Sequence, residues 1–193
     1  RMRRWFLPAA PAMLLSACAA PTVDDYAAEK PLLDLKTYFN GELVAHGLFT
    51  DRDGKVARRF VVQMSGTWAG NQGTLDERFT YSDGKTERRV WRLTDEGNGR
   101  WTGRADDVVD VAEGRAAGNA LNWRYTLRLP VDGKTYEVQF DDWMYLMDER
   151  VMLNKAAMSK FGITLGEDTL AFTKPCPKRH PAPHDPQSSH HRL

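Results

Sequence analysis

The feature that most limits this chain is a two-residue alternation of apolar and polar side chains, cut about every ten residues by turn signals. The signals are Asp53-Gly54, Asn71-Gln72-Gly73, Asp83-Gly84, Gly97-Asn98-Gly99, Gly118-Asn119, Asp132-Gly133 and Gly162. Successive side chains on a strand point to opposite faces, so a half-buried strand reads apolar, polar, apolar. Segments 43–50, 56–65, 74–81, 86–93, 100–105, 107–113, 120–130, 134–147, 150–158 and 163–173 read this way. No helical stretch of core length separates them. Parallel strands need such crossovers, so the pairing is expected to be antiparallel. A short helix over Asp34–Phe39, ended by Gly41, precedes the first strand.

Two hairpins set their own register. A two-residue turn at Asp132-Gly133 places Leu129 opposite Tyr136, Leu127 opposite Val138 and Tyr125 opposite Phe140, so both apolar faces coincide. A two-residue turn at Asp83-Gly84 would set Leu75 against Arg92. A three-residue loop, Ser82-Asp83-Gly84, instead aligns Leu75 with Trp91, Glu77 with Arg89 and Phe79 with Glu87. Strands joined this way must hide one apolar face and protect two edges, and closure does both. The expectation is an all-β fold: an antiparallel up-and-down β-barrel of lipocalin or calycin type, with about 8–10 strands. A β-sandwich or a strongly curved open sheet satisfies the same periodicity.

The N-terminus reads as an address. Arg1, Arg3 and Arg4 precede the apolar run 5–15, which is too short to span a bilayer. Leu15-Ser16-Ala17-Cys18 then resembles a bacterial lipobox. That resemblance implies a lipoprotein signal peptide over 1–17 and a diacylglycerol thioether on Cys18, whose freed amine is acylated, typically with a palmitate-length chain. Several chains anchor a protein stably where one does not. Residue Ala19 resembles the class sorted to the outer membrane, so the expected location is the cell envelope, facing the periplasm. An ordinary secretory signal with an incidental Cys, or a Cys18–Cys176 disulfide, is the competing reading.

Residues 18–30 are expected to be the lipidated Cys and a tether, and 31–173 the β-barrel domain. Residues 174–193 are rich in Pro, His and Ser and cannot bury a core, so disorder is expected there. Mean hydropathy is −0.56 and only the N-terminus is continuously apolar, which excludes a multi-span helical membrane protein. Lys+Arg 27 against Asp+Glu 26 offers nothing to attract nucleic acid.

Several segments then look familiar together: Tyr38-Phe39-Asn40-Gly41, Arg58-Arg59-Phe60, Gly73-Thr74-Leu75-Asp76-Glu77-Arg78-Phe79, Tyr81-Ser82-Asp83-Gly84, Gly118-Asn119-Ala120-Leu121, Phe140-Asp141-Asp142-Trp143-Met144-Tyr145 and Lys160-Phe161-Gly162. Over about residues 34–173 the chain resembles the bacterial lipoprotein family catalogued as domain of unknown function 3833. The resemblance brings no activity or catalytic residues with it. It points loosely toward fatty-acyl chemistry.

Residues that carry chemistry are few. The domain holds one His, His46, and no Cys, no nucleophile elbow, no cofactor-binding glycine fingerprint and no paired metal-ligand spacing. No catalytic residue, metal or cofactor is assigned. His46 shares parity with Val44 and Leu48, which would turn it inward. In Asp141-Asp142 a β-bulge would shift the inward parity to Trp143, Tyr145 and Met147, leaving the two carboxylates to cap the bulge. Glu77 and Arg89 face each other on an otherwise apolar face, as an internal ion pair or as the anchor for a ligand head group such as a carboxylate. The candidate ligand-binding set is Glu77, Arg89, Trp91, Trp123, Tyr125, Trp143 and Tyr145. The leading functional expectation is an envelope lipoprotein whose barrel binds or presents a hydrophobic ligand, a fatty acid or lipid. The alternatives are an enzyme acting on modified fatty acyl chains, with Glu77, Asp141 or His46 as acid or base, and a structural lipoprotein with a solid barrel. An internal cavity above about 300 Å³ separates the first two from the third.

Overall fold

The computed structural model describes residues 19–176. The expected signal peptide 1–17, Cys18 with its expected lipid or disulfide, and residues 177–193 of the tail expected from 174 onward lie outside the described residues. Ten strands form: β1 Gly41–Asp51, β2 Val56–Ala69, β3 Gln72–Tyr81, β4 Thr86–Gly97, β5 Arg100–Arg104, β6 Val108–Ala117, β7 Ala120–Val131, β8 Lys134–Leu146, β9 Val151–Lys160 and β10 Ile163–Thr173. Each pairs antiparallel with its neighbours in sequence, and β1 pairs with β10 from Val44↔Thr173 to Asp51↔Gly166, which closes the barrel. The fold is therefore an up-and-down, lipocalin-like β-barrel rather than a sandwich or an open sheet.

Both hairpin registers read from the sequence are present. Leu129 faces Tyr136 and Tyr125 faces Phe140 across Asp132-Gly133. Leu75 faces Trp91 and Glu77 faces Arg89 across the three-residue loop, where Gly84 takes the left-handed φ of +83°. The loop closes with Gly84 N–H donating to Tyr81 O and Tyr81 N–H donating to Lys85 O.

The two ends of the barrel differ. One end is plugged by α1 (Leu35–Tyr38), a single helical turn inside the expected 34–39. Asp34 caps it, accepting from Lys36 N–H at 3.1 Å and from Thr37 Oγ1 at 2.7 Å. Beyond its C-terminus, Lys174 Nζ donates to the carbonyls of Thr37, Tyr38 and Asn40 at 2.9–3.1 Å. Leu33, Leu35, Tyr38 and Phe39 are buried in this plug against Leu43, Leu146, Met152 and Phe172. At the opposite end the inward side chains Phe79, Leu129, Met158 and Leu165 are only partly buried. That end is the open mouth.

Large inward rings fit because the strands beside them are bare. A Cβ on Gly103 or Gly114 would lie 2.6 or 2.3 Å from the Trp123 ring. Those two glycines let β5 and β6 lie against the indole where any side chain would collide with it.

Three expectations are corrected. No bulge interrupts β8 at Asp141-Asp142: its register runs unbroken against both β7 and β9. The inward set therefore continues through Val138, Phe140, Asp142, Met144 and Leu146, and Trp143 and Tyr145 face outward. They read as core because a segment of the chain covers them. A 3-10 turn at Val23–Tyr26 lays Tyr26 edge-on against Trp143 at 5.9 Å and Tyr145 at 5.3 Å. Residues 23–30 are thus not a free tether. Val23 is buried, and Leu33 N–H donates to Gly118 O. His46 is exposed on the outer face, because β1 turns Leu43, Ala45 and Gly47 inward instead.

Candidate functional site

The barrel interior encloses a cavity of about 120 Å³ that runs from the plug toward the mouth. Most of its wall is apolar. A polar cluster interrupts that wall: Glu77 from β3, Arg89 from β4, Asp142 from β8, Asn154 from β9 and Asp168 from β10. Glu77 is 8% exposed and Asp142 is 7% exposed. Ladder register places the group. Asp142 on β8 lies opposite Ala156 on β9, and Ala156 lies opposite Asp168 on β10, so the two aspartates flank one methyl group on the strand between them.

An aromatic wall faces this cluster. Tyr125 stacks on Phe140 at 5.1 Å and meets Trp91 edge-on at 5.3 Å, and Trp91 meets Trp123 at 5.6 Å. Of the seven expected ligand-binding residues, the structure brings Glu77, Arg89, Trp91, Trp123 and Tyr125 to the cavity and leaves Trp143 and Tyr145 outside it.

The expected Glu77–Arg89 pair is looser than the register alone implies. Arg89 Nη1 stands 4.0 Å from Glu77. The guanidinium fork is engaged by Asp107 in the β5–β6 loop, which accepts from Nε at 2.9–3.1 Å and from Nη2 at 2.8 Å. An incoming carboxylate would find that edge occupied. Burial then dominates the acids. It pushes Glu77 up to about 7, with Arg89 only partly opposing. It pushes Asp168 up to about 6, again against Arg89. Asp142 is raised further by burial and by the negative charge of Asp168. Asp142 Oδ1 has no hydrogen-bond partner in the protein.

Sequence reasoning missed Asp107, Asp142 and Asp168. Two of them carried a usable signal. An unbroken two-residue period from Val138 and Phe140 puts Asp142 inward, and counting back from Phe172 and Leu170 does the same for Asp168. Asp107 sits in a loop, where periodicity is silent. The other acid/base candidate, Asp141, points outward, where Asn122 donates to it at 2.6 Å and Arg124 at 3.2 Å. Among the described residues no group of three His, Cys, Asp or Glu side chains is placed to hold a metal ion.

The fold resembles an S-type phycobiliprotein lyase from Guillardia theta, with a TM-score of 0.57, 6% identity, and coverage of 76% of this chain and 95% of that one. At that identity the likeness concerns the fold alone. No curated protein matches the sequence. A family model matches residues 12–174, the whole barrel and its approach, and the chain belongs to that family, described as protein of unknown function DUF3833.

Proposed function

We propose that this protein is an envelope lipoprotein, anchored through Cys18 and facing the periplasm, whose barrel binds a small molecule with an apolar body. The molecule's polar end sits among Glu77, Arg89, Asp142 and Asp168, and its apolar part, an acyl or comparable lipid chain, runs past Phe79, Leu129 and Met158 to the mouth. One observation carries the reading: a cavity of about 120 Å³ whose wall holds a buried carboxylate oxygen without a partner, Asp142 Oδ1. An unsatisfied buried polar group costs about 1–3 kcal/mol, whereas an apolar residue of similar shape costs little. The volume falls below the roughly 300 Å³ that would separate a binding barrel from a solid one, so size alone favours the solid barrel, and the interior admits one end of a ligand rather than all of it.

Native mass spectrometry of the full chain, extracted from its own membranes, tests this. The expected result is a stoichiometric bound small molecule, together with an acyl-glycerol mass on the chain that disappears in Cys18→Ser. Absence of any bound mass in repeated extractions would favour the solid structural barrel.

A second reading is favoured by Glu77, which burial brings to about 7, where it can donate and recover a proton at neutral pH. On that reading the barrel is an enzyme, and the lyase with a similar fold is a parallel. The bound molecule would then change mass on incubation with the wild type and not with Glu77→Gln.

A further inference from the structure

We propose that the polar end of the barrel interior is a seat for an organic ammonium group, an amine or quaternary nitrogen carried by the ligand. This rests on the binding-barrel reading above and names the chemistry of the ligand's polar end.

Charge is the first argument. Three carboxylates, Glu77, Asp142 and Asp168, line the cavity, and Arg89 is the one cation among its described lining residues. Arg89 is already held by Asp107 through two nitrogens at 2.8–3.1 Å, which leaves it 4.0 Å from Glu77. A carboxylate or phosphate would enter as a fourth negative group, with the Nε/Nη2 edge of Arg89 already taken by Asp107 and only Nη1 left to meet it. A positive nitrogen supplies what the cluster lacks.

The second argument is the orphaned acceptor. Asp142 is 7% exposed, lines the cavity, and its Oδ1 receives no hydrogen bond from the protein. Protonation, which burial favours, or a donor or cation brought by a ligand would satisfy it.

Shape gives the third. Asp142 and Asp168 stand on strands separated by β9, hence about 10 Å apart along the sheet, with the small side chain of Ala156 between them. Among the described residues no group of three His, Cys, Asp or Glu side chains is placed there to hold a metal ion. That notch suits a bulkier organic cation. Trp91, Trp123 and Tyr125, which line the same cavity, offer ring surfaces that attract such a cation.

Titration calorimetry on the purified full chain with three probes of one chain length, octyltrimethylammonium, octanoate and octanol, tests the assignment. The expected result is at least tenfold tighter binding of octyltrimethylammonium than of octanoate. Asp142→Asn should weaken the cation at least tenfold while leaving octanol within about twofold. The variant in the same preparation also cancels nonspecific partitioning of the alkyl chain. Asp168→Asn carries the same expectation and serves if Asp142→Asn does not fold. Octanoate binding as tightly as the cation, or cation affinity unmoved by both variants, overturns the ammonium assignment and leaves the barrel a binder. Failure of all three probes to bind overturns the binding reading itself.

Discussion

At the scale of single residues, the interior acids work against the fold. Glu77 is held near 7, above the ordinary 4.5 of its side chain, because burial disfavours its charged form more than Arg89 restores it. A carboxyl raised by folding binds its proton more tightly in the folded state. The penalty is therefore absent below the ordinary carboxylate range, grows as pH rises from about 4.5, and is complete above about 7. A shift of that size corresponds to about 3 kcal/mol. Asp142 and Asp168 act in the same sense. Glu77→Gln keeps the shape and cannot ionise, so the variant is expected to be about 2–3 kcal/mol more stable than wild type at pH 8 and nearly equal to it at pH 4. Urea unfolding at the two pH values checks this. A variant less stable than wild type at pH 8 would mean that the Arg89 attraction outweighs burial. Glu77 and Arg89 were legible in the sequence because a hairpin turn type and a two-residue period are both local. Asp142 was not, because Trp143 and Tyr145 imitate a core pattern beside it, and the segment that covers them lies more than a hundred residues away.

At the scale of elements, all ten strands were legible, since each announces itself by its own alternation and its own turns. Their ends were less so: β2, β4 and β6 run four residues past the sequence limits, to Ala69, Gly97 and Ala117. Alternation weakens there, but neighbouring strands continue the ladder. The Val23–Tyr26 turn was illegible because two anchors, Val23 and Tyr26, are too few to make a period. The β9–β10 hairpin shows a local conflict. Phe161 and Gly162 both adopt positive φ, 50° and 74°, as the equivalent Asp132-Gly133 does at 49° and 76°. Such a turn prefers Asn or Asp at its first position, and a bulky side chain there is strained. Phe161 is also 87% exposed, and it recovers little beyond the Lys160 ammonium 4.6 Å from its ring centroid. Phe161→Asn is expected to stabilise the barrel by about 1 kcal/mol. Thermal denaturation would show it as a higher midpoint. An unchanged or lower midpoint would mean that Phe161 makes a contact in solution that outweighs its strain.

For the whole molecule, closure was the step the sequence left open, because β1 and β10 meet only after the entire meander is laid down. Once closed, the barrel concentrates its stability at one end. Around the plug, Leu35, Phe39, Leu43, Met152 and Phe172 are buried, and Tyr38 Oη is within hydrogen-bonding distance of the carbonyls of Arg150 and Phe172 at 3.1 and 3.3 Å. Around the mouth, Phe79, Leu129 and Met158 are half wet. Local opening follows such differences, so the mouth hairpins should exchange their amide hydrogens well before the plugged end does. Substitutions should divide in the same way. Phe39→Ala removes a buried ring and is expected to cost about 3–5 kcal/mol. Phe79→Ala, at the half-exposed mouth, should cost clearly less, about 1–2 kcal/mol, and widen the entrance. Denaturant midpoints for the pair, read beside hydrogen exchange of the wild type, test the division. Equal losses from both substitutions, with uniform exchange along the strands, would mean that both ends are equally packed, and a ligand could then enter only by opening the whole barrel.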